Sequence, residues 1–98
     1  MENNTIIPWN IRPTDCFDQD IAINDNVAFV CTDYRDQFDF IATGKVVGFT
    51  DCFVKIQPNY ELIDNFKIMY HFNRFVGDKW VRAEYVLRSK NRVIKMNN

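Results

Sequence analysis

From Ile21 onward the chain is a succession of short apolar runs, rich in β-branched and aromatic residues and each closed by turn-forming residues. That spacing constrains the fold more than any other feature, because such runs suit strands joined by tight connections better than helices. Strands are expected near residues 26–32, 40–49 and 52–57. Asn24-Asp25-Asn26 opens the first, Tyr34-Arg35-Asp36-Gln37 follows it as a loop, and Thr50-Asp51 connects the second to the third. Cys52, Val54 and Ile56 alternate with Phe53, Lys55 and Gln57, so the first set is expected to face the core and Phe53 to face outward.

Gln57-Pro58-Asn59-Tyr60 interrupts this pattern. Beyond it, Phe66, Ile68, Tyr70 and Phe72 fall at strand spacing, which predicts another strand with His71 turned to solvent. Gly77-Asp78 reads as a hairpin turn leading into residues 79–88. That stretch is read as strand, although Trp80, Ala83 and Leu87 would also line one side of a helix capped by Asp78. Ser89-Lys90-Asn91 then turns the chain into a last strand, Arg92 to Met96. Residues 1–20, with Pro8, Pro13 and a turn-rich 14–20, are expected to form an irregular arm with at most one helical turn, capped by Thr14 or Asp15. Its apolar Ile6, Ile7, Trp9 and Ile11 are expected to pack on the barrel or on a partner. Ninety-eight residues, 47% of them hydrophobic, give one domain over 1–98, with the arm followed by a β-barrel over 21–98.

Three segments carry a family resemblance: NDNVAFV at 24–30, ATGKVVGF at 42–49 and FVKI at 53–56. Together they resemble the KOW-type and related Src-homology-type small barrels, whose members open a strand after an Asn-Asp or Gly-Asp turn and follow a glycine with alternating apolar residues. Gly44 matches the KOW glycine, Gly48 a bend in a curved strand, and Ser89 to Asn91 the turn before the closing strand. The resemblance implies a mainly β fold, a small, strongly curved antiparallel barrel of about five strands, with an elaborated segment at 58–88 before the last strand. The style also resembles the small accessory proteins of tailed bacteriophages.

Catalytic chemistry finds little to work with. The chain has one histidine, His71, and one serine, Ser89, and its cysteines, Cys16, Cys31 and Cys52, are widely spaced and never paired as CxxC. They read as small buried apolar residues rather than as metal ligands or disulfide partners. Asp33, Asp36 and Asp39 lack the glycine of a calcium loop and enclose Arg35, so they read as a solvated loop. A non-enzymatic protein without metal or cofactor is expected. The start, MENNTIIPWN, lacks a basic region followed by an apolar stretch, and no run approaches a membrane span, so a cytoplasmic location is expected, the host cytoplasm for a phage-encoded chain.

Charge is divided along the chain. Through Asp64 eleven acids face four bases, a net −7, and from Asn65 onward eight bases face two acids, a net +6. The basic third interleaves Arg74, Lys79, Arg82, Arg88, Lys90 and Arg92 with aromatics that include Trp80, the mixture that neutralises phosphates and stacks bases. DNA or RNA is therefore the first expected partner. The alternative is an acidic surface of Asp15, Asp18, Asp33, Asp36 and Asp39 that imitates a phosphate backbone and inhibits a host nucleic-acid-binding or defence protein.

Overall fold

The structure, a computed structural model, describes residues 13–33 and 37–97. The described strands are β1 (Asn26–Asp33), β2 (Phe38–Phe49), β3 (Val54–Pro58), β4 (Asn73–Val76), β5 (Lys79–Arg82), β6 (Val86–Arg88) and β7 (Val93–Lys95). Five of them form one antiparallel sheet in the order β6-β3-β2-β1-β7, curled into a half-barrel, while β4 and β5 pair only with each other. The mainly β, strongly curved architecture expected from the sequence is the one observed.

Curvature comes from β2. Its register against β3 shifts between Val46 and Gly48, a bulge that bends the strand where a glycine was expected to do so. At Gly44 the requirement is close approach. A Cβ there would lie 2.4 Å from the Gln57 carbonyl oxygen and 2.8 Å from Ile56 Cγ2, so β3 can cross only over a glycine.

Alternation puts Val27, Phe29 and Cys31 of β1, Ala42 and Val46 of β2, Val54 and Ile56 of β3, and Val93 of β7 into the core. Ile63, Ile68 and Phe72 complete it from outside the sheet, with the Phe72 ring edge-on to Phe29 at 6.5 Å and to Tyr60 at 5.8 Å. Cys52 and Phe53 precede β3 in the Thr50–Phe53 turn, so both are half-buried rather than divided inward and outward. Cys31 is buried, Cys16 and Cys52 are half-buried, and all three are free thiols.

The expected strand over 66–72 is instead helical. Helix α1 (Asn65–Lys67) starts at Asp64, whose carboxylate accepts from the Phe66 N–H at 2.8 Å, and continues as a π-helical turn over Ile68–Phe72. Spacings of two and of four coincide here. Ile68 and Phe72, four apart, are buried, while Phe66 and Tyr70, also four apart, lie outside with their rings 4.6 Å from each other. His71 consequently turns inward and not to solvent. The 79–88 stretch is strand as expected, but it breaks at 83–85 into β5 and β6: the Ala83 N–H still donates to the Phe72 carbonyl at 2.7 Å, in register with the hairpin, while the Ala83 carbonyl accepts from the Tyr60 hydroxyl. A 3-10 turn at Lys90–Arg92 leads into β7, matching the expected closing strand.

The sheet's last edge is covered by the arm. Cys16 donates to the Val93 carbonyl, and the Lys95 N–H donates to Asp15 Oδ2 at 2.8 Å, so a carboxylate replaces the carbonyl of a neighbouring strand. Asp15 also accepts from the N–H groups of Phe17 and Gln19, which makes it the cap of a turn, with Asp18 at φ +61. The expected packing of Ile6, Ile7, Trp9 and Ile11 lies outside the described residues. Among the described residues no helix is long and apolar enough to cross a membrane.

Candidate binding surface

The β4–β5 hairpin is built by its turn. Gly77 has φ +63 and Asp78 does not, the pattern of a II′ turn, which pairs Val76 with Lys79, Phe75 with Trp80, Arg74 with Val81 and Asn73 with Arg82. Residues directly opposite share a face, so one face carries Asn73, Phe75, Trp80 and Arg82 and the other Arg74, Val76, Lys79 and Val81. Apart from the half-buried Asn73, both faces are exposed among the described residues. Phe75 is 60% exposed, Trp80 59%, and Val76 and Val81 are exposed as well. The Phe75 and Trp80 rings meet edge-on at 5.2 Å.

Only the base of the hairpin is tied to the core. Ala83 donates to Phe72, the Tyr60 hydroxyl donates to the Ala83 carbonyl, and the Arg82 guanidinium lies 4.7 Å above the Tyr60 ring. Burial raises the Tyr60 hydroxyl above its ordinary pKa against the pull of Arg82, so it remains a donor at neutral pH. The side chains of Arg74 and Lys79 make no hydrogen bond or ion pair with any described residue.

The structure thus separates the seven residues assigned to nucleic acid from the sequence. Arg74, Lys79, Trp80 and Arg82 share the hairpin, Trp80 and Arg82 on one face and Arg74 and Lys79 on the other. Arg88, Lys90 and Arg92 do not join them. Strand β7 covers β1 only from Val27 to Phe29, and beyond it Arg88 Nε donates to the Val30 carbonyl at 3.0 Å while Arg92 donates to Thr32 Oγ1 at 2.9 Å. Arg88 also lies 5.4 Å from the Phe29 ring centre, so these guanidinium groups close the barrel where a strand is missing. Lys90 pairs with Asp18 at 2.6 Å. The Cys31 thiol is pushed up by burial, with Arg88, Arg92 and Lys67 opposing.

The acidic set is corrected more strongly. Asp15 and Asp33 are 0% and 3% exposed and cannot form part of an accessible surface. Asp18 is engaged by Lys90, Asp39 accepts from Thr32 Oγ1 at 2.8 Å, and Asp36 lies outside the described residues. Lys95 also reaches Asp25 at 3.7 Å, so the two halves that differ in charge along the sequence are stitched together in space. His71 Nε2 lies 3.5 Å from Asp33 Oδ2, an ion-pair distance when the imidazole is protonated, and its ring packs edge-on to Phe40 at 5.1 Å. Among the described residues, no three of His, Cys, Asp and Glu are grouped to hold a metal ion.

The family comparison covers this architecture from the arm to the closing strand. Residues 13–96 match a family described as a domain of unknown function, DUF7205. The chain belongs to the DUF7205 family. No curated protein and no solved structure matches it. In this DUF7205 member the matched segment includes both the half-barrel and the hairpin. Sequence reasoning left Tyr60 and Lys55 out of the site. Lys55 Nζ lies 4.4 Å from the Tyr85 ring, beside the groove that Tyr60 and Arg82 line, and Lys55, Tyr60 and Tyr85 are brought together only by the break at 83–85.

Proposed function

We propose that this chain is a non-enzymatic binding module that contacts DNA or RNA through its β4–β5 hairpin. The observation that carries the reading is the solvent-exposed Phe75–Trp80 ring pair on a two-stranded ribbon that also bears Arg74, Lys79 and Arg82, with no carboxylate among the described residues paired to any of the three. An isolated hairpin contributes little stability by itself, and leaving two aromatic rings in water costs it more. Such an element makes physical sense as a contact surface. Its cations supply phosphate neutralisation and its rings supply stacking. In the setting suggested by the phage-accessory resemblance, that contact would modulate a host or viral process.

The alternative, inhibition of a host protein through an acidic face, loses support. Two of its five carboxylates are buried, and Asp18 and Asp39 have partners within the chain.

Fluorescence anisotropy with labelled oligonucleotides tests the proposal. Binding at low salt should fall as salt rises, with a log–log slope of about −2 to −3 for three phosphate contacts. Replacing Arg74 and Lys79 together by Ala should remove roughly two-thirds of that slope. Absence of binding at low salt, or an unchanged slope in the double variant, would refute it.

A further inference from the structure

The hairpin face that carries Phe75 and Trp80 does not end at its base. Arg82 is two residues from Trp80 on the same strand, hence on the same face about 7 Å further along, and its guanidinium carbon lies 4.7 Å from the centre of the Tyr60 ring. Tyr60 and Arg82 in turn line one open groove with Gln57, Glu84 and Tyr85. Beside it, Lys55 Nζ sits 4.4 Å from the ring of the lining residue Tyr85. Three stations follow one another, Phe75–Trp80, Tyr60–Arg82 and Tyr85–Lys55, and the second and third each join a π surface to a cation.

We infer that this row is a track for a single strand of nucleic acid, running from the exposed ring pair into the Tyr60–Tyr85 groove. The inference rests on the proposed nucleic-acid contact and specifies its ligand. Charge complementarity selects a polyanion, since Arg82 and Lys55 stand along the row and Glu84 is the one acid lining the groove. Ring faces select the strand. In a duplex each base face is covered by its neighbours, leaving the backbone and the groove edges, whereas an unpaired strand offers base faces to Trp80 and Tyr85 while its phosphates meet the cations. Arg82 is exposed, and a guanidinium can stack on a base as it does on an aromatic ring. Gln57 and Glu84 present hydrogen-bonding groups to base edges within the groove.

The experiment compares, for the full chain, a labelled 12-nucleotide oligothymidylate with a 12-base-pair duplex by anisotropy, using the wild type, Tyr85→Ala and Tyr85→Phe. The single strand is expected to bind at least about tenfold more tightly than the duplex, Tyr85→Ala to weaken it by roughly tenfold, and Tyr85→Phe to retain the affinity because the ring is kept. Circular dichroism and thermal melting establish that each variant is folded. Equal affinity for strand and duplex, or a folded Tyr85→Ala variant that binds as the wild type does, overturns the track and leaves the hairpin contact standing. Failure of the wild type to bind either nucleic acid overturns the hairpin contact and the track with it.

Discussion

In the half-barrel, Arg88 and Arg92 direct their donors at the Val30 carbonyl and the Thr32 hydroxyl, and Asp15 gathers three backbone N–H groups, whereas in the hairpin the side chains of Arg74 and Lys79 contact no described polar partner. The aromatics divide the same way: Phe29 and Phe72 are sealed, Phe75 and Trp80 are open. Residues of one composition therefore serve two purposes according to where the topology places them. Side chains that complete missing sheet bonds hold the fold, and side chains on an element with no second layer are available to a ligand. Substitutions should separate these two groups, with large stability losses in the barrel and small ones in the hairpin.

The largest effect is expected at Asp15. Replacing it by Ala strips buried N–H groups of their acceptor and should cost about 3 kcal/mol or more in urea unfolding at pH 7. Burial alone would raise this carboxyl, but the N–H groups of Lys95, Gln19 and Phe17 and the Gln19 side chain outweigh it, and the net position is below the ordinary value. A carboxyl that titrates lower when folded than when unfolded, where it sits near pH ~3.9, stabilises the fold fully at neutral pH. That contribution declines as the pH falls toward the unfolded value and is gone below the folded one. The stability gap between wild type and Asp15→Asn should narrow over that acidic window, and a gap that stays constant or widens would show that the carboxylate's charge is not what the turn uses.

Next in size is Gly44→Ala, where the added methyl meets the Gln57 carbonyl of β3, itself unable to yield without loss of strand pairing. A loss of about 2 kcal/mol is expected. Arg88→Ala should follow at about 1.5 kcal/mol, since it removes the charge-assisted bond to the Val30 carbonyl on a stretch of β1 that no described strand covers. The two variants sharpen the comparison because neither residue lies on the hairpin. Their nucleic-acid affinity should equal that of the wild type once the proteins are folded, and a selective loss of binding in Arg88→Ala would return that residue to the interface.

The half-barrel was legible in the sequence because its signals are local and redundant: alternation in Val54-Lys55-Ile56, the Asn24-Asp25 turn, a glycine at each position where β2 bends or is crossed. The hairpin turn at Gly77-Asp78 was legible for the same reason. Residues 65–72 were not, since Phe66, Ile68, Tyr70 and Phe72 satisfy a period of two as well as two helical pairs, and the deciding feature is the single cap, Asp64. The charge pattern misled for a different reason. Asp15, Asp33, Arg88 and Arg92 look in sequence like surface residues, and only the pairing order β6-β3-β2-β1-β7 reveals which strand edges lack partners and draw them in. Tyr60 and Lys55 belong to the candidate site through tertiary contact alone.

The smallest stability effect is expected at Trp80, and there the comparison is most exposed to failure. A ring that is 59% exposed and touches Phe75 edge-on gives up little burial when it is truncated, so Trp80→Ala should change unfolding free energy by less than about 0.5 kcal/mol. The same substitution should weaken oligonucleotide binding about tenfold or more, the loss expected for one stacking side chain. Gly77→Ala provides the intermediate case. Its φ of +63 imposes about 1 kcal/mol of strain on an alanine, and because the turn holds Phe75 against Trp80, binding should fall with the hairpin's order while the barrel's melting temperature barely moves. If Trp80→Ala instead destabilised the protein as much as Arg88→Ala does, the ring would be part of the fold after all, and the division between a barrel that uses its side chains and a hairpin that offers them would collapse.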